Sequence, residues 1–342
     1  MKVLCLYNHP EYGAPMVRSA PYFEAHGMEM TVKQTGQNES DVLLALARLP
    51  GPYDVVLLQE PPVTDVILET VSCVPTILLE RVDGAQLRAS RDYLPRVAGV
   101  IKSYAFRDCQ QYNEEYDRAH IRILHEAGIE CRRPLHQERW NNPELSAEDL
   151  AKIRIGYSGF GCHDILKWCV EQEVDLDAPR PIDVHFAGTV AYQGTEVEAH
   201  RRLAIKAAAD WCGPSVASAG RGIPRAQYYD QILQSKAVLC PWGWGEATYR
   251  DYEAMALGAV VIKPDTSHVE SWPDIYDDMS ELYVPCKPDF SDVHDIVSDI
   301  VERWGWGEYQ EMREWARRVI VDAWQPESIA ERMAALIKEL VG

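Results

Sequence analysis

The feature that most constrains this chain is a repeated alternation of short apolar runs with longer segments of helical period. Residues 3–7, 28–33, 53–58, 76–79 and 97–103 read as strands. Residues 16–26, 40–47, 63–71 and 113–127 show the 3.6-residue spacing of amphipathic helices, with Ser40 a candidate cap and Gly27 and Gly128 candidate stops. Near-continuous apolar strands suit a parallel sheet covered on both faces, because no side of such a strand can face water. The pattern therefore predicts βα units and excludes a sandwich.

The rhythm breaks over residues 132–150, which carry Pro134, Asn141, Asn142 and Pro143 and little apolar periodicity, as a linker would. It then resumes, with strands predicted at 153–157, 182–187, 237–241 and 259–263. Helices are predicted at 163–171, 197–212, 225–235 and 248–257, with closing helices at 293–304, 309–324 and 327–340. The expected organisation is two doubly wound α/β domains, residues 1–150 and 151–325, and a length of 342 residues suits two cores of ~100–200 residues each. Ligands in such sheets bind at the carboxyl ends of strands.

Composition removes several function classes. Acidic residues outnumber basic ones by 53 to 34, a net charge of −19, which repels phosphate backbones and acidic membranes and argues against a nucleic-acid partner. No apolar run approaches the ~18 residues of a membrane span, and the start of the chain lacks a signal-peptide core. Nine cysteines without a Cys-x-x-Cys pair read as reduced thiols in a cytoplasmic protein, Cys5 and Cys240 serving as small apolar residues within strands.

Chemistry concentrates in residues 235–262, which read as strand, glycine-rich loop, helix, glycine stop and strand. Thr248 and Asp251 are spaced as a capping pair. The helix start they fix offers N–H groups and a positive dipole end to an anion. Gly243 and Gly245 allow close backbone approach to a ligand. Arg250 and Glu253, three apart, share a helix face, one suited to phosphate and the other to ribose hydroxyls. On spacing alone the same pair also reads as a solvated ion pair.

The stretch resembles the donor-site signature of GT-B glycosyltransferases, particularly the exostosin-like and bacterial family-1-type groups. Ser235, Lys236, Leu239, Cys240, Pro241, Gly243, Arg250, Glu253, Ala254 and Gly258 all fall in register with it, without a gap. The resemblance implies a GT-B fold, two Rossmann-like domains facing across a cleft, with a C-terminal helix (326–342) returning to the first domain. It implies transfer of a sugar from a UDP- or GDP-linked donor to a glycan or small-molecule acceptor, with no cofactor beyond the co-substrate. Glu253 would hold the ribose and Arg250 the diphosphate. Gly245, Glu246 and Thr248 would complete the donor loop. Gly188 and Thr189 match a strand-end turn facing the diphosphate, followed by His200-Arg201-Arg202, which also reads as a surface basic pair. Arg221 offers another cation, and His268 and Thr266 lie in the loop after the next strand. Related retaining enzymes carry Glu-x7-Glu, whereas Glu246 and Glu253 have six residues between them. That departure favours inversion.

Inversion needs a general base for the acceptor hydroxyl, and the family implies one from the first domain. Asp83 and His9 are the leading candidates, ahead of Glu11 and Glu60. Asp83-Gly84 also reads as an ordinary turn. The single Asp-x-Asp, Asp175-Leu176-Asp177, sits in a polar turn, so arginines rather than a metal are expected to meet the leaving diphosphate. Trp242 and Trp244 beside the loop are candidate sugar platforms. Two other readings stay open: a non-catalytic nucleotide- or glycan-binding protein with a decayed site, and a transferase acting on modified DNA bases.

Overall fold

The computed structural model describes residues 1–49, 51–59, 63–80, 84–87, 90–113, 119–129, 144–157, 164–193, 195–219, 223–277, 279, 281–304 and 307–342. Thirteen strands are found among them. The first sheet contains β1 (Lys2–Tyr7), β2 (Glu29–Gln34), β3 (Val55–Gln59), β4 (Thr76–Glu80), β5 (Gly99–Lys102) and β7 (Ile153–Ile155), with β6 (Tyr104–Phe106) standing apart. The second contains β8 (Ile182–Gly188), β9 (Ser215–Ala219), β10 (Ser235–Leu239), β11 (Val260–Pro264) and β13 (Val284–Cys286), with β12 (Val269–Ser271) standing apart.

The sheet orders are β2-β1-β3-β4-β5-β7 and β13-β11-β10-β8-β9, and every pairing within them is parallel. Each sheet thus starts at an inner strand, steps outward once, then crosses back over its first strand. Every residue of β3 and β4 is buried, as a strand with helices on both sides must be. Local signals agree with this layout. Asn38, not Ser40, caps the helix Glu39–Arg48 by accepting from the Asp41 amide, and Thr64 caps Asp65–Thr70 in the same way.

One boundary needs correction. Residues 153–155 pair with β5, in the register Val100↔Ile153, and so complete the first sheet instead of opening the second domain at 151. The apolar run itself cannot say which sheet it joins, since both need the same kind of strand. The helix Asp164–Glu171 belongs with the second domain, packing against the helix Tyr249–Ala256.

The last helix, Pro326–Val341, lies on the first domain. Its Ile329, Ala330, Met333 and Ile337 share one buried cluster with Val3, Cys5, Val55, Leu57 and Ile77. Met333 is fully buried there. Met333→Ala should therefore cost about 2–5 kcal/mol through lost transfer energy and a residual cavity. Urea unfolding followed by circular dichroism measures it, and an unchanged midpoint would mean the helix contributes nothing to the first core.

Further contacts join the domains. β6 pairs antiparallel with β12, Phe106 opposite Val269, and Arg107 reaches from the first domain to the carbonyls of Ser267 and Val269 and to both carboxylate oxygens of Asp274. The Tyr104 hydroxyl donates to that of Tyr252 at 3.2 Å. Among the described residues, no helix is long and apolar enough to cross a membrane.

Candidate active site

In the second sheet the chain steps out from β8 to β9 and returns through β10 on the other side of β8. The crevice beyond the carboxyl ends of β8 and β10 is therefore the topological switch point, where open α/β sheets hold ligands. A cavity of about 360 Å³ opens at this end, lined by Tyr192, Arg201, Tyr228, Gly243, Trp244, Ala247, Thr248, Tyr249, Arg250 and Glu253. Its volume is in the range of small-molecule sites.

Arg250 is buried on the helix Tyr249–Ala256. Its Nη2 donates to the Ala187 carbonyl at 2.7 Å, and its guanidinium lies 4.8 Å from the Phe186 ring centroid. A side chain at position 188 would place its Cβ 2.6 Å from that Nη2, so Gly188 is the residue that lets the guanidinium pass the end of β8. Arg201 comes from the helix Glu196–Asp210. Its Nη1 donates to the Thr189 carbonyl at 2.7 Å and to the Tyr192 hydroxyl at 3.1 Å. Neither arginine is ion-paired among the described residues, and the Nε of each is buried without a hydrogen-bond partner. Burial, and then the charge of Arg250, pull the Arg201 guanidinium below its ordinary value. Two cations converging in one concave site favour an anion between them.

Glu253 faces the same cavity. Its Oε2 accepts from the Tyr228 hydroxyl at 3.0 Å and its Oε1 from Tyr229 at 3.2 Å. Burial raises its carboxyl above the usual range, while the Tyr228 hydrogen bond and Arg250 oppose the shift. Each oxygen retains acceptor capacity beyond the one tyrosine it meets. At the helix start, the Thr248 amide donates to Asp251 Oδ2 at 2.9 Å and its hydroxyl to Oδ1 at 2.7 Å. Asp251 also pairs with Lys263 at 3.0 Å and accepts from Tyr276 at 2.6 Å. A carboxylate thus already sits against the positive end of this helix. The cavity owes its attraction for anions to the arginines more than to the dipole.

The other expected donor residues divide. Thr189 gives its carbonyl to Arg201. Gly245 closes a tight turn by accepting from the Gly243 amide at 2.9 Å. Thr266 accepts from the Trp242 indole at 3.0 Å and donates to the Pro264 carbonyl, so it anchors the loop and does not face the cavity. Glu246 is fully buried and turned away from the cavity, toward the first domain. It accepts from the Ala85 amide at 3.2 Å and lies 3.1 Å from His120 Nδ1 and 3.7 Å from His268 Nε2. Burial opposes its ionisation, but the His120 imidazole, and then His268, outweigh it and hold the carboxyl well below the usual range. Glu246 and His268 accordingly belong to the junction of the two domains. Arg221 and Asp83 lie outside the described residues, as do Glu60 and the side chain of Glu11. His9 follows β1 in the first domain, at that sheet's own switch point, and does not line the cavity. Asp175 and Asp177 form a turn, the Asp177 amide donating to Asp175 Oδ1 at 3.0 Å. Among the described residues no three His, Cys, Asp or Glu side chains converge as a metal site.

Tyr228, Tyr229 and His120 were not singled out from the sequence, and Arg201 was read there only within the His200-Arg201-Arg202 stretch, as a family match or a surface basic pair. For Arg201 a signal existed: it falls four residues after the buried Val197 and three before the buried Ala204, on the inward stripe of its helix. Arg202, one position on, points out and pairs with Glu198. His200 has a structural role. The Trp242 amide donates to its Nδ1 at 3.1 Å, which makes Nε2 the protonated nitrogen facing the Pro288 carbonyl at 3.1 Å.

Burial lowers His200 to about 3 and, together with Arg250, lowers His185 to about 4. Both sit below the ordinary imidazole value near 6.5. As pH falls through this window the unfolded chain takes up protons that the native state refuses, so stability drops with acidification below about 6.5. His200→Asn keeps an acceptor for the Trp242 amide and cannot titrate. Its melting temperature should fall less between pH 6.5 and 4.5 than that of the parent; equal slopes would contradict the assignment.

No family model matches the chain, and no curated protein matches it. Among solved structures, sucrose-phosphate synthase from Thermosynechococcus elongatus superposes with a TM-score of 0.51, at 12% identity, over 99% of each chain. A spinosyn rhamnosyltransferase complexed with thymidine diphosphate matches over the whole of both chains at 12% identity, with a TM-score of 0.42. The pneumococcal O-GlcNAc transferase GtfA, in complex with UDP and GlcNAc, matches at 12% identity and a TM-score of 0.45, over 84% of this chain and 56% of its own. The chain spans little more than half the length of that transferase. Likeness at this level of identity defines the fold. It is GT-B: two Rossmann-like domains, each with a parallel sheet, facing one another.

Proposed function

We propose that this protein is a glycosyltransferase that moves a sugar from a nucleoside-diphosphate donor to a hydroxyl acceptor. The observation that carries the reading is the convergence of Arg201, Arg250 and Glu253 on one cavity at the switch point of the second sheet. The ungapped donor-type run over residues 235–262 and the GT-B fold support it.

In this reading the diphosphate lies between the two guanidiniums and the ribose diol donates to Glu253. Trp244 and Tyr249, each more than a third exposed at the cavity, offer flat apolar surface to the base or the sugar. The acceptor oxygen attacks the anomeric carbon as the bond from that carbon to the β-phosphate oxygen breaks. The electron pair leaves on the diphosphate, where Arg201 and Arg250 stabilise the growing charge without a metal. An inverting displacement passes the acceptor proton to a base of the first domain, for which Asp83 and His9 remain the candidates.

Mass spectrometry of the protein incubated with a panel of UDP- and GDP-sugars and simple acceptors tests the proposal. Release of UDP or GDP together with a glycosylated or hydrolysed product is the expected result. Nucleotide binding with no turnover of any donor would instead favour a binding protein on a transferase fold.

A further inference from the structure

We infer that Glu246 is a positioning residue: it ties the loop that walls the donor cavity to the first domain through Ala85 and His120. The inference rests on the donor reading of the cavity, and its test separates the two.

The loop runs from Trp242 to Ala247, between β10 and the helix Tyr249–Ala256. One side of it, Gly243, Trp244 and Ala247, lines the cavity. The loop is anchored within its own domain at its start, by Trp242 on His200 and Thr266. Near its end Glu246 turns the opposite way and crosses to the first domain. There its Oε2 meets the Ala85 amide at 3.2 Å, and its Oε1 lies 3.1 Å from His120 Nδ1, on the helix Ala119–Glu126. Both Glu246 and His120 are wholly buried. A carboxylate removed from water without partners is strongly unfavourable, so this arrangement holds only while the loop is seated on the first domain. The fit is close. A Cβ at position 84 would stand 2.7 Å from Glu246 Oε2 and 2.3 Å from Gln86 Oε1, so a methyl there would have to push the ends of both side chains aside.

The physical consequence is preorganisation. A loop fixed before the donor arrives binds without an ordering cost, whereas a loop seated only part of the time lowers the apparent affinity by the seated fraction. Losing the tie should therefore raise the donor KM more than it lowers kcat, because it weakens ground-state and transition-state binding alike.

Hydrogen exchange of the amides of residues 242–247, measured without nucleotide, reads the tie directly, in the parent, Glu246→Gln, His120→Ala, His120→Asn and Gly84→Ala. Glu246→Gln, His120→Ala and Gly84→Ala should each speed exchange in that loop about tenfold or more, while the strands of both sheets stay protected. Asparagine at 120 keeps a polar side chain of similar size against Glu246, so His120→Asn should restore part of the slow exchange that His120→Ala loses. With UDP as probe, the three disruptive variants should bind about tenfold more weakly than the parent. Parent-like exchange in both Glu246→Gln and Gly84→Ala overturns the inference, and equal effects of alanine and asparagine at 120 overturn the His120 part of it. Failure of the parent to bind UDP or GDP would count against the donor reading, while the exchange comparison still decides the tie.

Discussion

Glu253→Ala is expected to abolish sugar transfer and to weaken UDP binding about a hundredfold, with the fold intact. The argument begins at the carboxylate, which is buried and held from behind by the hydroxyls of Tyr228 and Tyr229. A site built to accept hydrogen bonds from a diol loses far more than one contact when the acceptor goes, because the hydroxyls it met are left unpaired. The tyrosines lose an acceptor too, at a cost of about 1–3 kcal/mol, which an ordinary domain survives. A control separates ribose recognition from general damage. The parent should prefer UDP to its 2′,3′-dideoxy counterpart, and the variant should bind the two equally. Parent-like turnover in Glu253→Ala would remove the carboxylate from the donor site.

The second large effect concerns the diphosphate. Arg250→Ala should lower UDP affinity and transfer by about 10²–10³-fold, the range for loss of one preorganised donor to a developing anion. Uridine, which lacks the diphosphate, should bind parent and variant nearly alike. Arg250→Lys should not rescue binding. The guanidinium spends one N–H on the Ala187 carbonyl and lies over the Phe186 ring, which leaves a planar set of further N–H groups for the diphosphate that a compact ammonium does not present. Arg201→Ala should weaken UDP as well, and the double variant should lose less than the sum of the two, since both cations act on one anion. Strict additivity would place them on separate ligands.

Much of the architecture was legible because parallel βα units impose a pattern that a single sequence carries. Buried strands such as Val55–Gln59 and Val260–Pro264 are short apolar runs whatever surrounds them. The edge strand Ser215–Ala219 is small and half-exposed, so it carried no such signal. The short strands Tyr104–Phe106 and Val269–Ser271 exist because they pair across domains, which no local pattern encodes. The same distinction runs through the site. Arg250 and Glu253 share one helix and one turn, so their spacing alone put them on one face. Arg201, Tyr228 and His120 reach the site or its border from other helices, and only tertiary packing brings them there. Glu246 was legible as a functional carboxylate of the loop but not as one that faces away from the donor. Its direction depends on Ala85 and His120, more than a hundred residues away.

The central claim, that the cavity between β8 and β10 receives a nucleoside diphosphate, is tested most directly by isothermal titration of UDP and GDP into the full chain. Saturable one-to-one binding of at least one of them in the micromolar to submillimolar range, lost in Arg250→Ala, is the predicted result. No heat of binding from either nucleotide at millimolar concentration, or binding that Arg250→Ala leaves unchanged, would contradict it.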